Sequence, residues 1–219
     1  MLEIKNVSVN RNSKEVLNIE NFKFDFSKSY NIYGGTGEGK TTLLEVLVGV
    51  EKPASGDVLI DDLSLYDSGF MELSFLRKKL GVMFDLPGLI SNQSLYENIK
   101  LAVNSKGMIF DRSLRDVISQ EYFESFKLEN SLDARPGSLS VDQKRVVSFV
   151  RAIIAGPSFL VFDSFCDFLS GSFEKEIILF LRSLKEKGVG GIFLTKKRDP
   201  VGMGFDHYIE LKRGSLYEP

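Results

Sequence analysis

One unbroken run, Gly34-Gly35-Thr36-Gly37-Glu38-Gly39-Lys40-Thr41, satisfies the spacing G-x-x-x-x-G-K-[ST]. Glycines at these positions let successive backbone N–H groups turn inward around phosphate oxygens. Lys40 is then placed to reach the terminal phosphates and Thr41 to put its hydroxyl on Mg²⁺, with Thr42 offering a second hydroxyl. The chemistry is the holding of ATP or a similar nucleoside triphosphate. A second half-site needs a carboxylate at the end of a buried strand to hold the Mg²⁺ water shell, and Asp163 follows Phe159-Leu160-Val161-Phe162 in that position. An apolar run closed by Asp also reads as a strand followed by a cap; the phosphate loop upstream favours the metal reading. His207, the single histidine, lies outside both half-sites and reads as a strand-edge residue. Cys166, the single cysteine, has no second thiol or nearby histidine and reads as packing.

These residues must be positioned by a core, and 219 residues with 43% hydrophobic composition suffice for one sizeable α/β core or a core with a small lobe. Twenty-eight basic against thirty acidic residues give a net charge of −2, so no whole-molecule field points to nucleic acid or an anionic membrane. The short run Lys196-Lys197-Arg198 reads as a solvated turn, with Lys196 nearest the γ-phosphate. A lone cysteine and the opening Met1-Leu-Glu-Ile-Lys, without an apolar signal stretch, suggest a reducing cytosol. The apolar runs fall short of the roughly 20 residues that span a bilayer.

Leu2 to Val9 and Phe22 to Phe26 alternate as half-buried strands of an antiparallel start. Tyr30 to Tyr33 leads into the glycine loop, Thr41 to Val48 reads as the helix leaving it, and Gly49 with Pro53 ends that helix. Ser55 to Ile60 reads as an edge strand, Leu73 to Leu80 as a helix and Gly81 to Phe84 as a buried strand closed by a turn at Pro87-Gly88. From Leu95 to Ala155 the periodicity is helical, with segments Tyr96–Val103, Leu114–Phe126 and Val141–Ala155. Phe159–Asp163 and Gly191–Thr195 are short continuous apolar runs of the kind buried in a parallel sheet. Between them Phe173–Lys187 is helical, and Tyr208–Leu211 with Ser215–Tyr217 close the chain as a hairpin around Arg213-Gly214.

Between the half-sites, Leu139-Ser140-Val141-Asp142-Gln143 precedes a helix containing Arg151-Ala152. This order of loop, Pro87-bearing segment, pentapeptide, aspartate strand and final strand resembles the ABC ATPases along almost the whole chain. The resemblance implies an α/β phosphate-loop NTPase core of mixed sheet with an antiparallel β subdomain and an inserted helical lobe. The expected division is a single domain over 1–219, core 1–88 and 156–219, lobe about 89–155. It implies ATP and Mg²⁺ as cofactors, the metal held by Thr41, Asp163 and Asp85, and the signature at 139–143 facing nucleotide on an opposing subunit. Implied partners are membrane-spanning transporter subunits and a homo- or heterodimer of ATP-binding subunits. The resemblance also implies no nucleic-acid partner, no membrane span of the chain's own, and a cytoplasmic place, peripheral at the inner face of the membrane. Within the family, Gly88–Ile99 and Ala134–Ser140 look like the ATPases of MCE-type lipid transporters, which suggests a lipid cargo.

The departures from the family pattern fall on catalytic positions. Ser164 stands where a glutamate polarises the attacking water, and serine has no base strength at neutral pH. Lys196 replaces the switch histidine, Asp85 the loop glutamine, Val141 and Asp142 the two signature glycines, and Ser170 the aspartate of the following loop. Arg11 occupies the place of the aromatic adenine platform, where it either stacks on the base by its guanidinium or is a solvated loop arginine. The leading expectation is a subunit that binds Mg·ATP with impaired or absent hydrolysis. Two alternatives stand beside it: an active ATPase with Asp85 or Asp167 as base and Lys196 as switch, and a soluble nucleotide-gated scaffold.

Overall fold

The computed structural model describes residues 1–107, 113–164, 173–198, 200 and 203–218. Cys166, Asp167 and Ser170 lie outside them. Strand β1 (Leu2–Arg11) turns into β2 (Lys14–Phe24) through Asn12 and Ser13, both at positive φ (50° and 62°). That conformation matches the twist of a tight two-residue hairpin. Next come β3 (Ser29–Tyr33), α1 (Lys40–Leu47), β4 (Ser55–Ile60), β5 (Leu63–Ser64), α2 (Phe70–Arg77) and β6 (Leu80–Met83). The helical lobe holds α3 (Leu95–Lys106), α4 (Leu114–Val117) and α5 (Val141–Ile153). Strand β7 (Phe159–Asp163), α6 (Glu174–Glu186), β8 (Gly191–Thr195), β9 (His207–Lys212) and β10 (Ser215–Tyr217) complete the core.

One sheet is antiparallel, in the order β2-β1-β4-β5, and the other is mixed, in the order β10-β9-β3-β8-β7-β6. In the second, β3 lies parallel to both β8 and β9, and β7 parallel to β6 and β8. The strands read as continuous apolar runs are buried at every position because helices cover both faces of this sheet. One apolar cluster joins the two sheets and α1; a second joins the lobe to the opposite face of the mixed sheet through Phe149, Phe162, Phe180 and Phe193. The phenylalanines divide accordingly: Phe24, Phe123, Phe126, Phe149, Phe159 and Phe162 are fully buried, whereas Phe70 and Phe75 are exposed.

Four elements differ from the sequence expectation. β4, read as an edge strand, is paired on both sides, with β1 and with β5. β2 begins at Lys14 rather than Phe22, because Leu17 and Ile19 face the core while their polar neighbours face solvent. α2 runs from Phe70 to Arg77, not Leu73 to Leu80. Its N-terminal amide at Gly69 donates to Glu72, and Leu80 is drawn into β6 opposite Phe159. The helix expected over Leu114–Phe126 is broken into α4, a π-turn at Ile118–Phe123 and a 3₁₀ turn at Glu124–Phe126. His207 starts β9 at the sheet surface, stacked on Tyr30 at 4.8 Å.

Asp206 ties β3 to the approach to β9. It accepts from the Ser29 amide (2.8 Å) and hydroxyl (2.7 Å) and pairs with Lys185 at 3.0 Å. Partial burial pushes its carboxyl up, but the Ser29 hydrogen bonds and Lys185 outweigh this and bring it from 3.8 to about 2. The folded pKa is thus below the unfolded one, so the contribution is present above pH 3.8 and is lost as pH falls toward 2. Asp206→Asn is expected to lower the denaturation midpoint at pH 6, with the gap from wild type narrowing as pH falls from 3.8 toward about 2 in parallel urea titrations.

Candidate nucleotide site

The phosphate loop is gripped from both sides by close backbone approach. A Cβ on Gly34 would lie 2.3 Å from the Leu211 carbonyl oxygen, and one on Gly39 would lie 2.9 Å from Leu17 Cδ2, where φ is already +101°. Only glycine fits either place. The Gly34 amide donates to the Thr195 carbonyl at 3.1 Å, and Glu38 accepts from the Arg213 amide. Gly35, Thr36 and Gly37 are left exposed at the crest of the loop. Lys40, 8% exposed, donates from Nζ to the carbonyls of Gly34 and Gly35 at 2.6 Å each. Thr42, on the inner face of α1, is buried.

Thr41 and Asp163, 122 positions apart in the chain, meet at the head of α1, where the Thr41 hydroxyl donates to Asp163 Oδ2 at 2.7 Å. Burial pushes the Asp163 carboxyl up from its ordinary value. Hydrogen bonds from Thr41 and Ser164 and the charge of Lys40 oppose that rise, while the charge of Asp85 adds to it. An almost fully covered carboxylate beside a hydroxyl, a buried lysine and a second carboxylate favours a divalent cation, which would offset the burial and repulsion at once. The cradle and this donor set therefore fit Mg²⁺ with a triphosphate. Ser164 sits at φ 52° and its hydroxyl donates to Asp163 Oδ1 at 3.3 Å. It has no carboxylate with which to take a proton.

Residues that sequence reasoning did not single out hold the surrounding segments. Asn31, fully buried, donates to the carbonyls of Lys197 and Arg198 and accepts from Thr195 Oγ1 at 2.7 Å. The turn carrying Lys196 is thereby fixed at the end of β8, with Lys196 exposed. Arg151 donates to the Pro87 and Gly88 carbonyls at 2.8 and 2.9 Å, and burial lowers its pKa. Asn98, also fully buried, accepts from the Ile90 amide at 2.7 Å and donates to the Ile90 and Ser94 carbonyls. A buried polar residue with three partners, two carbonyls and a hydroxyl at Asn31 and three backbone groups at Asn98, is the signal that could have found both, but the partners cannot be named without the fold. Asn98→Ala is expected to cost about 2–3 kcal/mol of stability, because those groups lose their partner inside the protein. A urea titration would show it, and an unchanged midpoint would contradict it.

Ser140 caps α5: its hydroxyl accepts from the Gln143 amide at 3.2 Å and its own amide donates to Gln143 Oε1 at 2.9 Å. Leu139 is buried, Val141 is 57% exposed at the helix head, and Asp142 pairs with Arg145 at 3.4 Å. Arg11 is not extended over the phosphate loop. Its guanidinium donates to Glu51 and, at 2.8 Å, to Glu45, and the bond to Glu51 holds that carboxyl below its ordinary value against the opposing effect of burial.

The family model described as ABC transporter matches residues 17–166, more than half of the chain and both half-sites. The chain belongs to the ABC transporter family. ATP with Mg²⁺ is the ligand of ABC ATPase domains. A methionine import ATP-binding protein MetN of Francisella tularensis subsp. holarctica is 29% identical over 223 aligned positions, covering all of this chain and 63% of the relative. MetN 2 of Shouchella clausii is 32% identical over 176, covering 80% of this chain and 51% of the relative. The chain thus spans less than two thirds of these relatives' length. Among solved structures, a dimeric bacterial ABC transporter cassette superposes with a TM-score of 0.86 at 24% identity, covering all of this chain and 98% of the other. An ATP-binding subunit of an ABC transporter superposes at 0.87 with 22% identity, covering all of this chain and 90% of the other. The ABC ATPase architecture is the one observed.

Proposed function

We propose that this chain is the ATP-binding subunit of an ABC transporter, binding Mg·ATP at Gly34–Thr42 with Asp163 and Asp85 about the metal, and hydrolysing it slowly. One observation carries the reading: the Lys40 and Thr41–Asp163 arrangement is complete, while Ser164 offers Asp163 only a neutral hydroxyl. When bound, Mg²⁺ would neutralise phosphate charge. The protein holds and orients the nucleotide but has no group beside Asp163, at position 164, to take the proton from water. At the head of α5, Val141 adds bulk and Asp142 adds negative charge where a partner's phosphate would approach, so a head-to-tail dimer is weakened at both composite sites.

Docking to membrane-spanning subunits is supported by a groove of about 590 Å³ between α2, α3 and α5, bordered by Phe70, Leu73, Arg77, Leu101 and Arg151. Phe70 is 87% exposed on its rim, and Leu86 in the adjoining 85–94 loop is 78% exposed. Apolar side chains gathered at this concavity favour a docked subunit over a solitary scaffold. No helix among the described residues is long and apolar enough to cross a membrane. The lipid expectation gains nothing from the segments that suggested it. Residues 95 and 96 donate backbone hydrogen bonds to the carbonyls of Ala134 and Leu132, and Ser94 and Asn98 cap and brace, so these segments answer to the fold rather than a cargo. The named relatives are methionine importers.

A second reading, active hydrolysis with Asp85 as base, is favoured by one observation, the nearness of Asp85 to Asp163. Calorimetric titration of the wild-type chain with Mg·ATP, with phosphate release followed in the same samples, separates the two. Binding with little or no release supports the slow subunit, and brisk release that Asp85→Asn abolishes while Mg·ATP affinity is kept supports the second reading.

A further inference from the structure

We propose that Glu38 is a positioning residue of the phosphate loop, a latch that ties the loop to the tip of the β9–β10 hairpin and keeps it shaped for phosphate. This rests on the nucleotide-site reading above. The loop motif leaves position 38 open to any residue, so the carboxylate is a property of this chain. A negative charge in a loop that receives a polyanion repels it unless the carboxylate is held toward some other partner.

The hairpin tip is built to be that partner. Pairing of Lys212 with Ser215 makes Arg213-Gly214 a two-residue turn, with φ 50° and 79°. Such a turn leaves the amide of its first residue outside the ladder, and the Arg213 amide donates to Glu38 Oε2. The tip is itself wedged against β2. Gly214 is buried, and a Cβ there would lie 2.4 Å from the Val16 carbonyl oxygen. Its carbonyl accepts from the Asn18 amide at 2.8 Å, and the Ser215 hydroxyl donates to the Asn18 carbonyl at 2.9 Å. Glu38 for its part lies half-buried across the neck of the loop, where Cβ atoms added at Gly34 and Gly35 would stand 3.6 Å from its Cβ and 3.7 Å from its Cγ. At its ends the loop is fastened by the Gly34 amide to Thr195 and by the Gly39 carbonyl, which accepts from Leu43 at 2.8 Å. Lys40 braces it too, but with the ammonium that the terminal phosphates would take. The Glu38 bond braces the loop between those ends and uses no group that the ligand needs.

The test is isothermal titration of wild type, Glu38→Ala, Glu38→Gln and Arg213→Gly with Mg·ATP, with exchange of the amide at position 213 followed by NMR in the nucleotide-free proteins. Glu38→Ala is expected to weaken Mg·ATP binding at least about tenfold and to speed that amide's exchange at least about tenfold. Glu38→Gln keeps an acceptor oxygen without the charge and is expected to recover both to within about threefold of wild type. Arg213→Gly keeps the amide and suits the positive φ, so its affinity is expected to stay within about threefold. Glu38→Ala that binds as tightly as wild type overturns the inference, because the bond then holds nothing the ligand senses. Glu38→Ala and Glu38→Gln shifted alike, in either direction, also overturn it, since charge rather than the bond would be at work. So does Arg213→Gly as weak as Glu38→Ala, which would make the guanidinium the partner. Wild type that binds no Mg·ATP removes the nucleotide-site reading itself; the exchange rates at position 213 still report whether the latch forms, which separates that failure from this one.

Discussion

On the proposed slow-subunit reading, placing a carboxylate and an imidazole at the two positions, Ser164→Glu with Lys196→His, is expected to raise the rate of phosphate release roughly 10²-fold over wild type. A positioned general base is worth about 10²–10⁴ in rate. A glutamate at 164 would sit next to Asp163, beside the metal and the water shell it organises. The histidine would stand on a turn already held by Asn31 and Thr195, so the geometry of the switch needs no new support. Lysine there neutralises phosphate charge but cannot accept a hydrogen bond, which imidazole can. Steady-state phosphate release in matched samples decides the matter. A wild type already as fast as the double variant would refute the slow-subunit reading and turn attention to Asp85.

Lys40→Ala is expected to weaken Mg·ATP binding by at least about 10²-fold. Lys40 is buried with its ammonium between the Gly34 and Gly35 carbonyls, so it serves two ends at once. It holds the loop in its turned shape and presents a charge to the terminal phosphates. Charge-assisted hydrogen bonds are roughly twice as strong as neutral ones, and the loss of one to a phosphate in a partly covered site accounts for about two powers of ten. The same substitution leaves two carbonyls without their donor, so a drop of about 1–2 kcal/mol in stability should accompany the loss. Calorimetry and urea denaturation on one preparation report both effects. An affinity within threefold of wild type would mean that nucleotide is held elsewhere.

The two half-sites were legible in the chain because each is short and contiguous. Gly34–Thr41 declares itself by glycines and a lysine at fixed spacing, and Phe159–Asp163 by an apolar run with a carboxylate at its end. Their flanking strands were legible for a related reason: a strand buried on both faces must be apolar throughout. Less could be read where local preference and packing compete. The Leu73–Leu80 periodicity ran through the end of α2 because leucines suit a helix face and a strand alike, and only pairing with Phe159 assigns Leu80 to β6. The Leu114–Phe126 pattern is helical in spacing, yet its π-turn is a response to the lobe it packs in.

By itself, then, the sequence determined the chemistry of the loop, the family, the order of strands and helices, and the absence of a carboxylate at 164. These are properties of residues near one another in the chain. Tertiary structure alone decided that Arg11 turns to Glu45 and Glu51, that Asn31 holds the turn after β8 while Asn98 and Arg151 hold the segment from Pro87 to Ser94, and that Phe70 and Leu86 remain exposed. Each of those outcomes depends on a partner far along the chain, and a side chain with several possible partners is assigned to one only when the backbone brings that partner within hydrogen-bonding reach.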